Sequence, residues 1–246
     1  MENDFFVNYR QQIERQFDQV EQQREAIVIG ARAMAESVRR GGLINLFGTG
    51  HSHLLAEEVF YRAGGLVPVR ALQSTSLMLH ESASTGSALE RCSGLAQPLF
   101  EGWLIDPLDT IIIISNSGRN AVPVEFALAA RKNGNFVIAL TSMKASESCP
   151  SRHESGKRLF ELADIVLDNG GPAGDAGIEV DPDLPLMGPT STISGSYLLQ
   201  LLCMQTAYTL KKSNDDIPIF KSANLEDGDE HNHKLIKRYR HKIGNL

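Results

Sequence analysis

Ile111-Ile112-Ile113-Ile114-Ser115-Asn116-Ser117-Gly118-Arg119-Asn120 decides how this chain folds. Four β-branched apolar residues, bounded by polar residues and glycine, read as a strand buried on both faces at the centre of a parallel sheet. The serines, Asn116 and Gly118 then supply small side chains, hydroxyls and a residue free to adopt positive φ, and residues 122–131 carry an apolar face at helical spacing. Such a turn presents backbone N–H groups and hydroxyls at a helix N-terminus, which suits a phosphate monoester. A plain strand-to-helix turn with capping serines has the same composition, so the stretch alone leaves both readings open.

The pattern occurs a second time. Residues 43–47 form another apolar strand, followed by Gly48-Thr49-Gly50-His51-Ser52-His53 and a helical run over 54–63. Two such turns face one crevice when their strands flank the switch point of an open α/β sheet. Further strands are expected near 67–72, 136–141 and 164–168, with helices near 52–63, 88–103, 119–133, 157–163 and 190–212. Short apolar strands alternating with helices predict right-handed crossovers and a doubly wound five-stranded parallel sheet, order 2-1-3-4-5.

Around this unit, residues 3–40 carry apolar side chains at three- and four-residue spacing and predict one long or two consecutive amphipathic helices ended by Gly41-Gly42. The expected organisation is an N-terminal helical extension (1–42), the sheet domain (43–212) and a C-terminal tail with a short helix (213–246). Residues 73–89 are polar and serine-rich at the ligand edge of the sheet, and 168–189 are too long and rich in Gly and Pro for a minimal connection. Loops of that kind often carry function.

The 246 residues and net charge of −6 fit one α/β domain with extensions and argue against a nucleic-acid or anionic-membrane partner. Cys92, Cys149 and Cys203 are widely spaced, as expected of reduced thiols in a cytoplasmic protein. No run is apolar over the roughly 18 residues a membrane span requires.

FGTGHSHLLAEE with IIIISNSGRNAVPVEFALAARKNGNFVIALTS resembles the SIS (sugar isomerase) domain family, in a match covering about residues 43–210. The chain looks closest to members named for phosphosugar and phosphoheptose isomerases. The resemblance implies a flavodoxin-like sheet, a phosphorylated sugar as ligand, no organic cofactor or metal, and a homodimer or homotetramer. It places the phosphate among Gly50, His51, Ser52, Ser115, Asn116, Ser117, Gly118 and Asn120, with Arg119 as a charge partner. Asn120 stands where Thr is usual. Ser191 and Thr192 match a place where the family adds ligand contacts, although Thr190-Ser191-Thr192 also suits ordinary N-capping.

Moving a proton between adjacent sugar carbons needs a base of near-neutral pKa and an acid to open the ring. The expected catalytic residues are Glu81 with His80, after the second strand, and His231 in the tail cluster. Glu57 and Glu58 are further candidates, weighed against a solvated helix face. In phosphoheptose isomerases the base lies on the first helix, but counting from the G-x-G turn puts Tyr61 there. Etherases of N-acetylmuramic acid 6-phosphate carry a glutamate after the second strand, which Glu81 matches only with an insertion. His51, His53, His80 and Glu81 could share a metal, yet their spacing fits poorly. The reaction expected is aldose–ketose isomerisation; a lyase or etherase acting on a sugar phosphate, or a non-catalytic sensor, remain as alternatives.

Overall fold

Residues 4–246 are described by a computed structural model. The first helix, α1 (Phe5–Gln22), starts where the Asp4 carboxylate accepts the Val7 N–H at 3.2 Å. It gives way at Gln23 to α2 (Arg24–Arg39), and Gly41, at φ +82°, turns the chain into the sheet. The following elements are β1 (Ile44–Gly48), α3 (His53–Val59), β2 (Val69–Leu72), α4 (Leu79–Leu89), α5 (Ala96–Gly102), β3 (Thr110–Ile114), α6 (Ala121–Asn133), β4 (Phe136–Thr141), α7 (Met143–Glu147), β5 (Ile165–Asp168), β6 (Ala176–Ile178), β7 (Met187–Pro189), α8 (Ser191–Lys212) and α9 (Gly228–Tyr239).

Within the described residues, five parallel strands lie in the order β2-β1-β3-β4-β5, as the alternation of strands and helices predicts. The isoleucine run explains the centre. Ile112 and Ile114 join Ile138 and Leu140 against α2, α3 and α8, whereas Ile111 and Ile113 join Val137 and Ala139 against α5 and α6. A strand covered on both faces has no polar side, so alternation disappears from its sequence. Cys203 packs at the margin of the first layer, where burial pushes its thiol up to about 12, and all three cysteines are free.

Several helix boundaries differ from those read in the sequence. The run over 52–63 is a 3-10 turn, Gly50–Ser52, followed by an α3 that stops early, because Phe60 is extended and Tyr61 takes φ +47°. The single helix expected over 88–103 is two, α4 and α5, parted by Gly94 at φ +85°. Residues 73–89, expected as a loop, contain α4. Ser82 breaks its first turn with extended backbone, and the Ser82 hydroxyl accepts the Thr85 N–H at 3.4 Å and so starts the rest of the helix. The helix expected over 157–163 shrinks to a 3-10 turn, Leu159–Glu161. In the long Gly- and Pro-rich segment, β6 and β7 pair as an antiparallel hairpin.

Two attachments position what surrounds the sheet. The Gln23 side chain clamps the end of β5, donating to Asp168 O and accepting from Asp168 N, each at 2.7 Å. The tail runs antiparallel to the approach to β2 through the Leu66–Ile219 bridge, and Phe220, Tyr239 and Ile243 pack with Leu43 and Val67. Leu43 and Val67 precede β1 and β2, so the tail covers the N-terminal edge of the sheet.

Candidate functional site

The turns after β1 and β3 lie side by side because those strands are neighbours, with Gly48 opposite Ile114. They depart in opposite directions: β1 leads into α3 on one face and β3 into α6 on the other. That divergence opens the crevice. Each turn depends on glycine. A Cβ on Gly48 would lie 2.7 Å from the carbonyl carbon of Ser52, because the turn folds back on the strand end. Gly118 adopts φ +58°, and a Cβ there would stand 3.0 Å from Ser146 Oγ and 3.2 Å from Leu159 Cβ. No other residue meets these conditions without strain.

The polar groups of the two turns fall into two sets. Ser115 Oγ accepts the Gly118 N–H at 3.2 Å and braces the second turn. Asn116 is held by Asn169, which donates to its Oδ1 at 2.9 Å. His53 is buried and its Nδ1 faces Gly50 O. By contrast Ser52 and Ser117 are half-buried, His51 is exposed, and their side chains make no hydrogen bond among the described residues. The Ser52 and Ser117 hydroxyls are thus wholly unbonded at the crevice.

A carboxylate not singled out in the sequence joins the turns. Glu90, which follows α4, accepts from Thr49 Oγ1 at 2.8 Å and from Asn120 Nδ2 at 2.6 Å. Thr49 belongs to the first turn and Asn120 to the second, so Glu90 spans the mouth between them. Its carbonyl also accepts the Val122 N–H at 3.1 Å, which fixes the end of α4 on the start of α6. Asn120 is therefore engaged on both sides of its amide, since its Oδ1 accepts from Arg152 Nη1 at 2.8 Å.

The other expected site residues are distributed as follows. Glu81 and His80 stand exposed in the first turn of α4, ahead of the break at Ser82, and neither bonds to either glycine turn. Ser191 Oγ donates to Asp175 Oδ2 at 2.6 Å, and Asp175 Oδ1 accepts the N–H groups of Thr190 and Ser191 at 3.1 and 2.9 Å. The positive end of α8 thus already holds a carboxylate from the β6–β7 segment. Thr192 is exposed and lines a cleft of about 340 Å³ with Leu54, Glu57, Glu58 and Ser196. Glu57 accepts from Gln73 at 2.6 Å, and Glu58 is bonded to Arg62 and Ser196.

His231 is not brought to this crevice. Its Nε2 lies 2.9 Å from Ile219 O at the N-terminal edge of the sheet, whereas both turns sit at the C-terminal edge. The tail packs at the end of the sheet opposite both turns. Among the described residues no three His, Cys, Asp or Glu side chains gather as a metal site, and no helix is long and apolar enough to cross a membrane.

Comparison with known proteins gives a family and a set of relatives. The model described as "SIS domain" matches residues 8–142. A UPF0309 protein of Halalkalibacterium halodurans is 43% identical over 235 residues, covering 95% of this chain and 97% of the relative. A UPF0309 protein of Geobacillus kaustophilus is 44% identical over 214 residues, covering 87% of this chain and 85% of that one. Among solved structures, a phosphoheptose isomerase from Francisella tularensis superposes with a TM-score of 0.55 at 19% identity, covering 84% of this chain and 98% of the isomerase.

Proposed function

The chain belongs to the SIS domain family and to its UPF0309 relatives, and from that membership we propose that it binds a phosphorylated sugar between the two glycine turns and isomerises it. The observation that carries this reading is Glu90, bonded at once to Thr49 and Asn120 across the crevice where the Ser52 and Ser117 hydroxyls are unbonded. A phosphate monoester takes the hydroxyls and the backbone N–H groups that Gly50 and Gly118 leave accessible. Ser115 keeps its proton for the same anion while its oxygen braces the turn. The sugar then extends from the phosphate toward Glu90.

Glu90, rather than the exposed Glu81, serves as the base. It removes the proton from the carbon beside the carbonyl, and the electron pair passes into an enediolate; the hydroxyl proton of that carbon moves to the former carbonyl oxygen, and the protonated carboxyl delivers its proton to the former carbonyl carbon. The sum is an aldose–ketose interconversion with hydrogen, charge and oxidation state conserved. Thr49 and Asn120 hold the carboxylate in one orientation, which is the positioning such transfers require. The phosphoheptose isomerase that shares the fold supports this class of substrate.

A thermal-shift screen against hexose, heptose and amino-sugar phosphates tests the binding half, because a ligand that binds only the native state raises the melting temperature. With a ligand so found, Ser117→Ala is expected to cost about 1.5–3 kcal/mol of binding, the loss of one hydrogen bond to a charged oxygen. Calorimetry giving the same affinity for the variant and the parent would remove Ser117 from the cradle.

The reading also includes a homodimer or homotetramer. Phe5, Phe6 and Val7 of α1 and Leu184, Leu186 and Met187 of the hairpin segment leave apolar surface exposed, which supports self-association. Closed two-fold contact is the expected form. Light scattering that returns the monomer mass of 27.0 kDa throughout the micromolar range contradicts it.

A further inference from the structure

Three guanidinium groups gather beside the second turn, and none of them forms an ion pair among the described residues. Arg119 follows Gly118 in the turn itself, Arg91 follows Glu90 at the end of α4, and Arg152 comes from the stretch after α7. The Arg152 backbone N–H donates to Arg119 O at 2.8 Å, and its guanidinium donates to Asn120 Oδ1 at 2.8 Å, so the loop is fixed on the turn at two points. Desolvation lowers the Arg152 pKa, repulsion from Arg119 and Arg91 lowers it further, and Glu90 is the carboxylate that acts in the other direction. Yet Glu90 makes no ion pair with any of the three; its oxygens accept from Thr49 and Asn120 instead. Among the described residues none of the three arginines makes an ion pair, and Arg119 Nε is buried without a hydrogen bond.

Like charges held together, with a buried donor unused, carry a cost that an incoming anion removes. We propose that Arg91, Arg119 and Arg152 form a second anion site adjoining the phosphate cradle, and that the substrate is a phosphorylated sugar bearing a further acidic group. This rests on the reading of the crevice as a sugar-phosphate site and narrows its substrate class. Asn120 sets the geometry: its oxygen holds Arg152 and its nitrogen holds Glu90, so the second anion binds one carboxamide away from the base. A carboxylate and a second phosphate ester both have the required chemistry, because guanidinium forks pair with either.

The test uses matched probes at fixed ionic strength. Gluconate 6-phosphate and glucitol 6-phosphate differ only in a carboxylate against a hydroxymethyl group, and fructose 1,6-bisphosphate and fructose 6-phosphate differ by one phosphate. Calorimetry on the full chain is expected to show the doubly acidic member of at least one pair binding about tenfold or more tightly, the equivalent of one charged contact. The pair with the larger ratio names the second acid. Arg91→Gln and Arg152→Gln should each bring that ratio toward one, with glucitol 6-phosphate affinity unchanged in Arg91→Gln. Arg91 and Arg152 are both exposed residues, so neither substitution opens the core. Ratios near one in the parent, ratios that survive both substitutions, or equal losses for both members of a pair overturn the second site while the crevice reading stands. Failure of every probe to bind removes the crevice reading and the second site together.

Discussion

Glu90→Gln is expected to abolish the exchange of solvent deuterium into a bound sugar phosphate while leaving its binding nearly intact. The substitution keeps the length of the side chain. Its amide oxygen still accepts from Asn120, and its amide nitrogen donates to the Thr49 hydroxyl, whose rotor has room to turn. The basic oxygen is lost. A positioned general base contributes about 10²–10⁴-fold to such a proton transfer, so the rate should fall by that factor. Glu81→Gln serves as the control, because Glu81 is exposed and bonds to neither turn, and its exchange rate should match the parent's. Undiminished exchange in Glu90→Gln would move the base elsewhere. No exchange in the parent with any sugar phosphate that binds would leave a sensor rather than an isomerase.

The second large effect concerns stability, and it originates at the far edge of the sheet. Asp109 is 3% exposed just before β3; it accepts from Leu43 N and Asn45 Nδ2, each at 2.7 Å, and from Asp106 N at 3.2 Å. Arg70 Nη2 lies 3.8 Å away, and Arg70 also donates to Asn45 Oδ1 at 2.7 Å and to Trp103 O at 3.1 Å. Burial pushes the Asp109 carboxyl up, while the Leu43 amide, Asn45 and Arg70 draw it down. Asp109→Ala strands the Leu43 and Asn45 donors and leaves a buried guanidinium without its counter-charge. Removing one member of such a network costs about 3–5 kcal/mol. Urea unfolding should show a midpoint lowered to match, with sugar-phosphate affinity of the folded fraction unchanged, since this cluster and the crevice occupy opposite ends of the strands. A midpoint within error of the parent would show that water replaces the lost acceptor.

The strands and the two glycine turns were legible because their causes are local. Four consecutive β-branched residues can be satisfied only between two covering layers, and a glycine directly after a buried strand marks a turn that returns on itself. The order of the sheet follows from these elements together with the handedness of the crossovers. Helix ends were less legible. The break at Ser82 and the early stop of α3 depend on a capping hydroxyl and on Tyr61 at positive φ, neither of which the spacing of apolar residues records.

Three features were decided by tertiary structure alone. Glu90 reads in the sequence as one more acid on a polar helix; it reaches the crevice because the end of α4 is docked on the start of α6 at the C-terminal edge. The start of α8 carries Ser and Thr as an anion site would, but Asp175 from a hairpin fifteen residues earlier already fills it. The tail has the acids, amides and histidines of a closing segment, yet apolar contacts of Phe220, Tyr239 and Ile243 hold it at the N-terminal edge, away from the turns. In each case a sequence gives the chemistry of the side chain and its nearest neighbours. Which end of the sheet receives that chemistry depends on packing between segments far apart in the chain, where burial of apolar area outweighs any local preference.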